Sequence, residues 1–225
     1  LALALKDLLA EADASGYVSE VLVLSMRLME LEPGSAAWPP LRDAALDRLA
    51  EASGPVEALD VATLTATRLR GSSDCIPTLR DLLAQVDGAV PLLIEVKTDP
   101  ARSVAALCLA VRRELEGYQG QVAVMSFDPR VGQWFHRLAP QVVRGLVVTE
   151  ENARTLSGRV RRHRQLWQAR PDFLAYDIRD LPSGFAAAQR GRGLPLLTWT
   201  VNSAALLLRS ARQESRGQTG QAAAR

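Results

Sequence analysis

Ile94-Glu95-Val96-Lys97 sets a carboxylate and an ammonium two residues apart inside an apolar run. If that run is a strand, alternation points both side chains to one face. On a common face the two can form an internal ion pair. Few other residues have types suited to chemistry. The two histidines, His136 and His163, fall in helically patterned segments and read as surface groups. Cys75 and Cys108 are too few for a disulfide framework and lack the clustered spacing of a zinc site, so they read as buried or reduced thiols. Arg159, Arg161, Arg162, His163 and Arg164 carry charge that attracts phosphate, but the run reads first as a solvated helix face.

The elements that must position these groups follow from apolar spacing. Residues 90–96 form an uninterrupted apolar run, patterned as a strand buried on both faces. Residues 17–24, 121–126, 142–148, 173–176 and 194–201 are further strand candidates. Helical stripes lie between them: residues 3–14, the segment from Ile76-Pro77-Thr78 to Val86 with Pro77 near its first turn, Val104 to Leu115, Val131 to Leu138, residues 155–168 and residues 184–189. Pro33-Gly34 and Pro39-Pro40 mark an irregular excursion. Strands alternating with helices predict a parallel α/β fold. A doubly wound sheet is the structural alternative, but the chain has neither a glycine-rich strand-to-helix fingerprint nor a P-loop.

Composition sets the bounds. At 225 residues the chain has about the size of one α/β barrel, with 48% hydrophobic residues to fill a core. Its 27 basic and 25 acidic side chains leave a net charge of +2, which gives no drive toward nucleic acid. Lys6 and Asp7 interrupt the apolar start long before a membrane span of roughly 20 residues, so neither anchor nor signal peptide is read and a cytoplasmic setting is expected. Residues 1–213 read as one domain and residues 214–225 as a disordered tail.

Short strings carry the reading further: Ser15-Gly16-Tyr17 with Glu20, Leu46-Asp47-Arg48-Leu49, Ile76-Pro77-Thr78-Leu79, Ile94-Glu95-Val96-Lys97, Ser126-Phe127 and Trp199-Thr200-Val201-Asn202. In order and spacing they resemble the glycerophosphodiester phosphodiesterase family. The resemblance implies a (β/α)8 TIM-type barrel of the phospholipase-C-like phosphodiesterase type. It also implies hydrolysis of glycerophosphodiesters to an alcohol and glycerol 3-phosphate with a divalent cation, Mg²⁺ or Ca²⁺. Glu20 and Glu95 would be metal ligands, Lys97 a phosphate or carboxylate partner, and Trp199 a wall for the glycerol end. A glycerophosphodiester or another small phosphate compound is the implied partner.

The chain also departs from the family pattern. The His-Arg-Gly strand is absent, Leu3-Ala4-Leu5 stands at the Glu-Asn-Thr position, and Leu22 follows Glu20 where the family has an aspartate. A rival register, Glu30-Leu31-Glu32, restores two acids but needs about ten inserted residues and runs directly into Pro33. Arg42 occupies the place of an acid/base histidine, and an arginine neither gives nor takes a proton near neutrality. A final strand is also not found after Asn202. The expectation is therefore a barrel short of a strand at each end, with an open seam and low stability. Its activity is expected to be impaired, the alternative being a noncatalytic barrel that binds a phosphate compound or a protein partner.

Overall fold

The computed structural model describes residues 22–26, 59–69, 73, 75–151 and 153–199. Six strands form one sheet: β1 (Leu22–Met26), β2 (Leu92–Val96), β3 (Val122–Ser126), β4 (Val143–Val148), β5 (Phe173–Asp177) and β6 (Leu196–Trp199). All neighbours are parallel and lie in sequence order. A doubly wound sheet reverses its strand order at a switch point. This one never does, so it winds in a single direction, as a (β/α) barrel does. Among the described residues β1 and β6 each pair on one side only. The segment 3–14, the proline-rich excursion and the residues after Trp199, the expected tail included, lie outside the described residues.

Six helices are described: α1 (Val61–Ala66), α2 (Leu79–Val86), α3 (Ala105–Leu115), α4 (Pro129–Leu138), α5 (Leu156–Ala169) and α6 (Gly184–Arg190). Local chemistry sets their starts. Thr78 caps α2 and exchanges bonds with Asp81 in a capping box, with Pro77 directly before the cap, near the first turn as expected. Asp128 caps α4 with Pro129 following it, and Thr155 and Ser183 cap α5 and α6. None of the described helices is long and apolar enough to cross a membrane.

Strand alternation divides the core. Leu92, Ile94 and Val96 of β2 turn to the helices, packing with Leu107, Cys108 and Phe135. Leu93 turns the other way, into a cluster built from successive strands: Ala123, Met125, Val147, Phe173, Ala175 and Leu197. For one cluster to join β2 to β6 on a single face, the sheet must curl, and that face is its concave side. On the helix side of β4 to β6, Leu146, Leu174, Tyr176 and Ala186 form a third cluster. Helical spacing overestimates burial at one place. Leu138 is 56% exposed, because α4 ends there and the next residue, Ala139, takes the core position. Cys75 is exposed while Cys108 is fully buried, and both are free thiols. Burial, then the nearby Asp128 carboxylate, pushes the Cys108 thiol up to about 12.

The loops at the carboxyl ends of β2 and β3 are tied together. Asp128 accepts from Thr98 Oγ1 at 2.8 Å and from the Arg130 guanidinium, whose other nitrogens bond the carbonyls of Asp99 and Arg102. Ser126 Oγ donates to the Val96 carbonyl at 2.6 Å. Partial burial alone would raise the Asp128 pKa, but bonds from Arg130 and Thr98 outweigh it and hold the carboxyl below its ordinary value.

Two outcomes follow from this packing. Gly145 stands beside Phe173 in the register, and a methyl group there would lie 2.3 Å from the fully buried ring. Gly145→Ala is expected to destabilise by about 1–3 kcal/mol, read as a lowered midpoint in thermal unfolding; an unchanged midpoint would mean that the ring moves freely. Because folding depresses the Asp128 pKa, its stabilisation is complete above the unfolded value, about 3.9, and is lost as pH falls through the folded value. The melting temperature should therefore drop on the acid side of pH 4, and Asp128→Asn should flatten that limb while lowering the plateau near neutrality.

Candidate functional site

Parallel barrels place their sites where the strands end, so the carboxyl rim of the sheet is the place to assemble the candidates. Glu95 is the fourth residue of β2 and shares the concave parity of Leu93; it is half-buried among otherwise buried neighbours. Lys97 follows the strand and is exposed. Trp199 ends β6, packs against the concave cluster and donates from Nε1 to the Ala175 carbonyl at 3.1 Å. Its ring meets Phe127, which follows β3, edge-on at a centroid distance of 5.9 Å. Since β4 and β5 separate those strands, this contact bridges the concave side at the rim. Glu95 and Trp199 thus share one face, with Lys97 at the same edge.

The remaining assigned residues, Glu20 and Arg42, and the rival pair Glu30 and Glu32 lie outside the described residues. The backbone register of β1 sets Leu22 opposite Leu92, at the amino end of the sheet, and Ser25 opposite Glu95. Leu22 is therefore three residues away from the level of Glu95. Both histidines sit on helices behind the sheet. His136 on α4 bonds the Arg170 guanidinium through Nε2, and His163 on α5 is exposed, with Nδ1 2.9 Å from the Arg159 carbonyl oxygen. Among the described residues no three His, Cys, Asp or Glu side chains are grouped to hold a metal ion. Glu95 by itself does not constitute a cation site.

A second group of polar residues at the rim escaped the sequence reading. Glu150, beyond β4, accepts hydrogen bonds through Oε1 from the Tyr176 and Ser183 hydroxyls, and its Oε2 lies 3.6 Å from the Arg162 guanidinium. Asp180 accepts from Thr149 Oγ1, the Glu150 backbone N–H and Arg154. Burial, then the bond to Glu150, pushes the Tyr176 phenol far above its usual range, so it remains a donor. Asp177 is opposed by burial, yet bonds from Arg179 hold its carboxyl below the ordinary value. Arg162 is a correction to the solvated-face reading: it is only 5% exposed, whereas Arg159, Arg161 and Arg164 of the same helix are exposed. The available sequence signals were Tyr176 and Asp177 closing a buried strand and Ser183 opening a helix; the long-range partner Glu150 carries no local pattern.

Comparison with known proteins agrees with this architecture. A sequence profile of the glycerophosphoryl diester phosphodiesterase family matches residues 31–220. No curated protein matches. The fold is similar to a phosphodiesterase from Oleispira antarctica solved with the product sn-glycerol-3-phosphate: 16% identity over 91% of this chain and 83% of that one, with a TM-score of 0.65. It is also similar to glycerophosphodiester phosphodiesterases from Thermotoga maritima (20% identity, 75% and 69% covered, TM-score 0.54) and Parabacteroides distasonis (15% identity, 76% and 74% covered, TM-score 0.57). At such identities the structures speak for the fold, and the profile, matched over most of the sequence, speaks for descent. The chain belongs to the glycerophosphoryl diester phosphodiesterase family.

Proposed function

We propose that this chain binds a glycerophosphodiester, or another small phosphate compound, at the concave rim and hydrolyses it slowly, if at all. The observation that supports binding is the position of Glu95 on the concave side at the end of β2, with the Phe127–Trp199 pair closing the same face. Lys97 is assigned to the phosphate and Trp199 to the glycerol end. Glu95, with Glu20, is assigned to a weakly held divalent cation, Mg²⁺ or Ca²⁺; no reaction step is routed through it, because the described residues do not complete a cation site.

Impaired turnover is the part that the proton chemistry supports. A phosphodiester releases an alkoxide, which needs a proton at the transition state, and a positioned general acid contributes roughly 10²–10⁴-fold. Arg42 stands where that histidine is expected and holds its proton across the neutral range. The only two histidines of the sequence are committed to helices behind the sheet. These same observations favour a second reading, a noncatalytic member that retains ligand or partner binding.

The test is release of glycerol 3-phosphate from glycerophosphocholine with Mg²⁺ or Ca²⁺ present. Turnover is expected at least 100-fold below that of a histidine-bearing family member, and Glu95→Ala should remove whatever remains. Rapid turnover abolished by Glu95→Ala would mean that other groups act as acid and base, and impaired catalysis would have to be abandoned.

A further inference from the structure

On the helix side of the rim, α5 and α6 with the loops entering them border an open cavity of about 650 Å³. Five arginines line it, against only two carboxylates, Glu150 and Asp180. Both acids are already engaged: Glu150 by Tyr176, Ser183 and Arg162, and Asp180 by Thr149, the backbone and Arg154. The donors are not. Arg162, 5% exposed, gives Nη1 to the Ala153 carbonyl at 2.7 Å and leaves Nε without a partner. Gln189, 2% exposed, accepts from Arg192 at 3.2 Å and leaves Nε2 without a partner. Buried unpaired N–H groups are uncommon and costly, and both belong to residues that line this cavity. Arg159 and Arg192 add charge at its edge with no carboxylate partner among the described residues. The Phe185 ring, 5.7 Å beneath the Arg162 guanidinium and edge-on to His163, supplies an apolar wall.

We propose that this cavity is a second anion site, for a small phosphomonoester, separate from the concave face. Arg154, Arg162 and Arg179 are paired with Asp180, Glu150 and Asp177, so Arg159 and Arg192 leave a surplus of two positive charges (5 − 3), which suits a dianion. Guanidinium forks and an amide N–H match the several acceptor oxygens of a phosphate. The wall of Phe185, Leu181 and Pro182 suits the organic part of an ester better than free phosphate. The site faces the helices, whereas Glu95 and Trp199 belong to the opposite side of the sheet. It therefore stands or falls independently of turnover.

Calorimetric titration of the full chain with inorganic phosphate and with sn-glycerol 3-phosphate tests this, in a Lys97→Ala background that silences the concave rim. One saturable site is expected, tighter for glycerol 3-phosphate. Both affinities should fall at least tenfold in the Arg159→Ala/Arg192→Ala double variant, whose changes are at exposed positions that leave the fold intact. Phe185→Ala should erase the preference for the ester. Equal affinities for the two anions in the Lys97→Ala chain would overturn the phosphomonoester assignment. Absence of saturable binding, or binding unchanged by the double variant, would overturn the site itself.

Discussion

A parallel strand covered on both sides has no solvent face, and that constraint organises this molecule. Each strand residue goes either to the helices or to the concave side, with the choice alternating. In β2 this sends Leu92, Ile94 and Val96 into the helix-side core and leaves Leu93 and Glu95 for the concave side. A one-residue slip would bury Glu95 against Leu107 and Phe135 and bring Ile94 to the rim. The hydrophobic packing of three side chains thus fixes where the carboxylate stands. The same parity in β4 and β5 sets Gly145 beside Phe173, a small residue making room for a large one on the curled face.

Charge is then used at the strand ends, where backbone must leave the sheet. Asp128 with Arg130 joins the loops after β2 and β3, and Glu150 with Arg162 joins the loops after β4 and β5. The two pairs differ in kind. The first is partly solvated and acts by anchoring backbone carbonyls. The second is buried, and buried pairs contribute little net stability but are costly to break, because the surviving charge has nowhere to go. Arg162 is retained in α5 under that condition, with Nε left unpaired.

Local patterns made much of this legible in the sequence. The apolar run ending in Glu95-Val96-Lys97 identified β2 and its parity, and Thr78, Asp128, Thr155 and Ser183 are caps readable from their residue types. Alternation of strands and helices pointed to a parallel α/β sheet, and the strand order then showed its winding. The contacts between distant segments could not be read in this way. Glu150 meets Tyr176 and Ser183 across 26 and 33 residues, a pairing that no period encodes. Arg162 looked like one more basic residue on a solvated helix, and only packing of α5 against the loop at Ala153 buries it. The register of β1 is likewise nonlocal: short motif matching aligned Leu22 with a metal-binding position, while the backbone sets Ser25 level with Glu95.

On the proposed function, the phosphodiesterase barrel keeps a ligand-bearing face and lacks a proton donor for the leaving alkoxide. Leaving-group dependence tests that directly, because a nitrophenolate departs without a proton and an alkoxide does not. The measurement is the turnover ratio of bis(p-nitrophenyl) phosphate to glycerophosphocholine, each corrected for the Glu95→Ala chain. Missing general acid catalysis predicts a Glu95-dependent rate for the aryl diester that exceeds the alkyl one by about 10²-fold or more. Comparable Glu95-dependent rates for both diesters would show that a proton donor is present and would contradict the account.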